Sequence, residues 1–164
     1  RPTLLSEIEP LFYGGGQERC IRPGTLATHQ IVGLGKAAVL AQECLINEMN
    51  HLQSIRDELW LFLTQHWPDS QLNGGYLDEK GLPQGLVSGV LNICCPSDLL
   101  MQWNGLFDRV GFSQGSACSQ GGASHVLTAL GRSSEEASRS IRLGLSRFTT
   151  LEEIKALCTL LKPT

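Results

Sequence analysis

The chain has 164 residues, of which 41% are apolar and 18% charged, and its net charge is −3. This is about one domain's length, enough to bury a core without staples, and the scattered basic residues of a slightly acidic chain exclude a nucleic-acid footprint. No apolar run reaches the length of a bilayer-spanning helix, and the opening RPTLLSEIEP lacks the apolar stretch of a signal peptide, so no membrane partner is expected.

Residues 1–25 read as an irregular lead-in ending in the loop GGGQERCIRPGT. From Leu26 to Trp67, Ile31, Leu34, Ala38, Ala41, Leu45, Met49, Leu52, Ile55 and Leu59 recur at steps of three or four. That spacing predicts one long amphipathic helix or two in tandem, with Thr25 as N-cap and WPD at 67–69 as the stop. Gly33 and Gly35 weaken its first turns and point to close packing or a kink. Glycine, asparagine and aspartate then punctuate short extended pieces between LNGGY and EKGLPQG. LVSGVLNICC (86–95) has the apolar, β-branched character of a buried strand.

Residues 98–108 read as a helix burying Leu99, Leu100, Trp103 and Leu106, followed by a short strand near Val110–Phe112. A helical turn or two from Ser124 to Leu130 ends at Gly131. Ser133 with Glu136, and Thr150 with Glu153, have the spacing of capping boxes for two further helices. Between them SIRLGLSRF alternates as a strand, with Arg142 on one side and Ile141 and Leu143 on the other. The order of elements predicts an α/β layer with a mixed or antiparallel sheet packed by helices.

Chemistry is concentrated in three segments. The six cysteines are irregularly spaced and form no Cys-x-x-Cys pair, so neither a disulfide framework nor a metal site is expected, and a reducing compartment fits. Cys44 and Cys158 sit in apolar patterns, and the adjacent Cys94 and Cys95 read as packing at a strand end. Cys118 differs, because FSQGSACSQGG surrounds it with glycines, small hydroxyls and amides. A thiol attacks only as thiolate, and such a loop supplies backbone donors and room for a substrate, although a bystander thiol has the same composition. The helix after Ser124 could add a modest dipole, and His125 is a weaker candidate assistant. Arg142, before a capped helix, is placed to grip a carboxylate through two parallel hydrogen bonds; Arg147 serves equally on composition. In GGGQERCIRPGT, three glycines, Arg19, Arg22 and Thr25 suit an anionic group such as phosphate, or else a flexible interface loop. His29, His51, His66 and His125 show no metal spacing, and Trp60, Trp67 and Trp103 read as core or interface.

In this order, GGGQERCIRPGT with HQIVGLGKA, GSACSQGG with SHVLTALG, and SIRLGLSRFTTLEEI resemble three segments of the NifS-like cysteine desulfurases, members of the class V aminotransferases. The similarity runs along nearly the whole chain. It implies the C-terminal portion of a fold-type I transferase dependent on pyridoxal phosphate. Residues 1–28 would then end the large domain with its phosphate and interface loop, 29–67 form the connecting helix or helices, and 68–164 form the small α/β domain with the cysteine loop.

The implied activity is removal of sulfur from L-cysteine as a persulfide on Cys118, with L-alanine as product. Arg142 would bind the substrate carboxylate and Thr25 the cofactor phosphate, in this family that of the neighbouring subunit. The implied partners are a second copy in a homodimer, the N-terminal part of the same enzyme, and a sulfur acceptor such as an iron–sulfur scaffold, all in the cytoplasm. The family's covalent lysine has no counterpart among Lys36, Lys80, Lys155 and Lys162, so the isolated chain is expected to be inactive. The loop from Cys118 to Ser124 is about two residues shorter than the family's long-loop form, and NICCPSDLL is shortened and carries extra thiols. The alternatives are a related lyase or aminotransferase, or a non-catalytic dimerisation or acceptor-docking module of the same fold.

Overall fold

A computed structural model describes residues 8–115 and 124–161, which cluster into two units, 1–44 and 45–164. The elements in chain order are α1 (Thr28–His66), β1 (Gln71–Leu72), β2 (Tyr76–Leu77), β3 (Pro83–Gln84), β4 (Val90–Cys94), α2 (Ser97–Asn104), β5 (Ser113–Gln114), α3 (His125–Ala129), α4 (Ser134–Ser138), β6 (Ser140–Gly144) and α5 (Leu151–Leu160).

The periodic stretch is one continuous helix of 39 residues. It starts later than Thr25, because the first full-turn bond runs from the Ile31 amide to the Ala27 carbonyl. Thr25 is therefore not its N-cap. A side chain at Gly33 or Gly35 would meet nothing within 4 Å, so neither marks a close contact in this chain. The stripe divides along its length: Ile55 and Leu59 are buried, whereas Ile31, Leu34, Leu45 and Met49 are 52%, 73%, 50% and 45% exposed. Periodicity fixed the helix and its apolar face, but burial needs a facing element, which the described residues supply only toward the C-terminal end.

In the unit 45–164 the main sheet has the order β1-β4-β6-β5, and every pairing is antiparallel. One face of this sheet is the core. Leu91 and Ile93 of β4 and Ile141 and Leu143 of β6 pack with Ile55, Leu59, Trp60 and Leu63 of α1, Leu99 and Trp103 of α2, and Ile154 of α5. This is a helix layer on one face of a sheet, as the alternating strand pattern requires. All three tryptophans are buried, with Trp60 Nε1 donating to the Gly81 carbonyl and Trp67 Nε1 to Asp98. The strand expected at 110–112 forms instead at Ser113–Gln114, where the chain first comes alongside β6.

Both capping boxes are present: Ser133 Oγ accepts from the Glu136 amide, and Thr150 Oγ1 from the Glu153 amide. Each glutamate reaches back to its N-cap amide at 2.8 Å. Gly131, with φ +91, follows the short helix α3. Asp78 closes the β2–β3 connection by accepting from the Lys80 and Leu82 amides, both at 2.9 Å. Those backbone bonds, Leu82's first, hold its carboxyl below the usual range.

Cys94 and Cys95 are buried as expected, whereas Cys44 and Cys158 are only half-buried. Burial pushes the Cys95 thiol up to about 12 and the Cys158 thiol to about 11. All five described cysteines are free thiols.

A Cβ on Gly89 would stand 2.6 Å from the Leu145 carbonyl oxygen, on backbone tied to Gly89 by the bond from the Leu145 amide to the Gly89 carbonyl at 2.8 Å. Gly89→Ala is expected to destabilise the chain by about 1–3 kcal/mol, measured by urea unfolding. The Glu136 carboxyl is lowered from 4.5, chiefly by the Ser133 amide and then the Ser133 hydroxyl. A carboxylate lowered by folding stabilises above its unfolded pKa and loses that contribution as pH falls through its folded one. Stability should therefore fall through that acid window more steeply in the natural chain than in Glu136→Gln, and parallel curves would contradict the box's contribution.

Candidate functional site

The second face of the sheet is polar. Along β6 the side chains alternate, so burying Ile141 and Leu143 turns Arg142 to the opposite side, where it is exposed. The register sets Arg142 between Asn92 of β4 and Ser113 of β5. Its Nη2 lies 3.3 Å from Ser113 Oγ. Among the described residues no carboxylate pairs with it. A cavity of about 290 Å³ opens beside the guanidinium, lined among others by Asn92, Ser113, Gly115, Ser124 and Ser140. Gly115 and Ser124 are the described residues that flank 116–123, the segment containing Cys118. Cys118 itself lies outside the described residues.

Beneath the cavity lies a hydrogen-bonded chain that sequence reading missed. Asn73, 5% exposed, donates through Nδ2 to Asn92 Oδ1 and to Ser140 Oγ, both at 2.9 Å. Its Oδ1 accepts from Arg132 Nε at 2.7 Å. Arg132 also donates to the Leu72 carbonyl at 2.8 Å, to Gln71 and to Glu136 at 3.3 Å. The Ser140 hydroxyl donates to the Glu136 carbonyl at 2.8 Å. Arg132 follows Gly131 directly, so it pins the end of the segment 124–131 onto β1 and α4. The one sequence signal was Asn92 itself, a polar residue inside the apolar run LNIC, and its meaning depends on the register with Arg142.

The structure also separates the two candidate arginines. Arg147 Nη1 is 2.8 Å from Glu48, and its guanidinium lies 5.9 Å from the Phe148 ring. It is thereby committed, while Arg142 faces the cavity. His125 is exposed on α3, a helix of five residues. Among the described residues no cluster of histidine, cysteine, aspartate or glutamate could hold a metal ion.

In the unit 1–44, Glu18, Arg19 and Cys20 have φ of 49°, 59° and 65°. Three consecutive left-handed residues other than glycine form a strained turn, costing roughly 1–2 kcal/mol each. Arg22 Nη1 donates to the Gly24 carbonyl at 2.9 Å and weakly to that of Thr25, and Gln17 Oε1 accepts from the Gly24 amide at 3.1 Å. These bonds hold the loop that presents Thr25 at the surface, where its hydroxyl has no described partner. Thr25 and Arg22, adjacent in this loop, are donors of the kind that bind phosphate.

No family model matches the chain. The mitosomal cysteine desulfurase of Trachipleistophora hominis is 40% identical over 160 residues, covering 94% of this chain and 34% of that protein. The cysteine desulfurase IscS of Shewanella frigidimarina is 39% identical over 149 residues, covering 90% of this chain and 35% of that protein. Among solved structures, a NifS-like protein from Rickettsia africae superposes with a TM-score of 0.70 at 25% identity, covering 93% of this chain and 39% of that one. SspA in complex with cysteine gives 0.56 at 28% identity, covering 88% and 37%. The chain thus spans about a third of the length of the curated relatives it matches. In sequence and in fold alike, the chain matches the C-terminal part of these longer cysteine desulfurases and NifS-like proteins.

Proposed function

We propose that this chain is the part of a cysteine desulfurase that carries the sulfur-accepting thiol and the grip on the substrate carboxylate. The observation that carries this reading is Arg142: a guanidinium unpaired with any described carboxylate, beside a cavity bordered by both residues that flank the Cys118 segment. Three peptide units separate Gly115 from Cys118, which bounds their Cα separation at roughly 11 Å. A tether of that length permits the thiol to approach a ligand held by Arg142.

Arg142 binds the carboxylate of L-cysteine bidentately. Cys118, as thiolate, attacks the substrate sulfur. A sulfur–sulfur bond forms, the carbon–sulfur bond breaks, and its electron pair goes to the carbon, which takes up a proton to leave L-alanine. The product on the protein is a Cys118 persulfide, whose outer sulfur passes to an acceptor thiol.

Pyridoxal phosphate, when bound, supplies the electron sink for that carbon. The residues here fit one portion of it, since Thr25, with Arg22 beside it, offers phosphate donors. None of the described lysines, Lys36, Lys80 and Lys155, lines the Arg142 cavity, so the covalent lysine is proposed to lie outside this chain.

On this reading residues 1–28 close the large domain, 29–67 connect, and 68–164 form the small domain. The proposed partners are the N-terminal part of the enzyme, a second copy in a homodimer with Thr25 serving the neighbour's cofactor, and an acceptor such as an iron–sulfur scaffold. The exposed Ile31, Leu34, Leu45 and Met49 support extensive coverage of α1 by such partners. Among the described residues no helix is long and apolar enough to cross a membrane. The proposed compartment is the cytoplasm, supported by the unpaired state of the five described cysteines.

The test is incubation of the complete enzyme with L-cysteine, reading alanine by chromatography and the gain of one sulfur atom on Cys118 by mass spectrometry. Cys118→Ser should abolish both. Arg142→Lys should raise KM at least tenfold, since an ammonium cannot replace a bidentate fork, whereas Arg147→Ala should change KM little. Alanine formed by the 164-residue chain alone with added cofactor would contradict the assignment of the lysine. In the same chain at pH 8, Cys118 should alkylate far faster than Cys95. With its pKa at about 12, Cys95 is ionised on the order of one part in ten thousand. Equal, slow labelling would favour a non-catalytic module.

A further inference from the structure

We propose that Asn92 is a second donor of the carboxylate site, its side-chain Nδ2 turned toward the cavity by a hydrogen-bond chain whose polarity Arg132 sets. The inference deepens the reading of Arg142 as the carboxylate grip, and rests on it.

The argument follows donors and acceptors. A guanidinium has only donors, so the Asn73 atom 2.7 Å from Arg132 Nε must be the carbonyl oxygen Oδ1. The Asn73 Nδ2 is then the atom facing Asn92 and Ser140, and its two hydrogens are both used. Ser140 spends its own hydroxyl hydrogen on the Glu136 carbonyl, so toward Asn73 it can accept. Asn92 must likewise offer its acceptor, Oδ1, to Asn73. Each amide orientation dictates the next, and the arginine at the start of the chain cannot reverse its role.

What remains at Asn92 is Nδ2 with two N–H groups. No described residue accepts from it, and Asn92 lines the cavity directly opposite Arg142 in the β4–β6 register. Cross-strand neighbours have Cβ atoms ~5 Å apart, a spacing that one carboxylate can span. A carboxylate gripped by the Arg142 fork keeps outward lone pairs on its oxygens, and Nδ2 can fill one of them. Arg132, remote from the ligand, thus acts as a positioning residue: it keeps the cavity wall donor-rich and selects an anionic group there.

The test is a ¹H–¹⁵N NMR titration of the complete enzyme, ¹⁵N-labelled at arginine and asparagine, with L-alanine, following the Arg142 Nε–H and Asn92 Nδ2–H₂ signals. Both should move along one saturation curve, and L-alaninamide, which lacks the carboxylate, should move neither. Asn92→Asp should weaken L-alanine at least tenfold. Asn73→Asp should weaken it comparably, although residue 73 does not line the cavity, because an acceptor-only side chain there draws Nδ2 of Asn92 toward itself. Arg147→Ala should leave the curve unchanged, and thermal unfolding of each variant checks the fold. Movement of Arg142 without Asn92, or full affinity in Asn92→Asp, would overturn the role of Asn92 and spare the carboxylate grip. If neither signal moves with L-alanine, or both move equally with the amide, the carboxylate site itself is overturned and Asn92 with it.

Discussion

The pairing of β4 with β6 is the constraint on which both faces of this sheet depend. Leu91 and Ile93 oppose Leu143 and Ile141, and all four are buried, so their shared apolar face fixes the register to the residue. A slip by one position would turn Arg142 into the core and Ile141 into the cavity. The hydrophobic packing behind the sheet is therefore what holds the guanidinium in place on the front. β5 adds only two residues to this arrangement, yet it brings Ser113 beside Arg142 and leads straight to the segment containing Cys118.

Arginines carry much of the polar organisation, and their surroundings give them different roles. Arg56, 3% exposed, is neutralised by Asp57 and donates to the Pro83 carbonyl at 2.7 Å, a structural tie between α1 and β3. Arg132 is spread over Gln71, Leu72, Asn73 and Glu136, binding α4 and β1 to the segment behind α3. Arg147 is paired with Glu48. Arg142 has a hydroxyl beside it and an open cavity in front, which is the environment a charged ligand requires. Removing such a group from water is costly unless an opposite charge is paired with it, and exposure to the cavity keeps Arg142 solvated.

The unit 1–44 follows a different economy. The turn at Glu18–Cys20 holds three left-handed residues and the N-terminal half of α1 leaves its apolar side bare. Strain and exposed hydrocarbon both cost free energy in the chain by itself. Both are consistent with a surface completed by other polypeptide, the arrangement proposed for a chain spanning about a third of its relatives' length.

Much of the fold was legible in local pattern. The period of the long helix, the alternation around Arg142 and the two capping boxes rest on near-neighbour chemistry, and each appears where its residues predicted. The family resemblance needed only three ordered motifs. What local pattern could not supply was pairing across distance. Arg142 and Arg147 are equivalent by composition, and only the approach of Glu48, far away in sequence, distinguishes them. Thr25 looked like a cap because its residue type suits one, but the helix begins at Thr28, its first backbone bonds running to the Ala27 carbonyl. Asn73, Asn92 and Arg132 gave no joint signal, since their orientation depends on a chain of donors and acceptors between β1, β4 and the segment after α3. Sequence by itself determined which faces are apolar and which residues can do chemistry. Tertiary structure decided which charges meet, because Coulomb and hydrogen-bond partners are chosen by proximity in space and not by order along the chain.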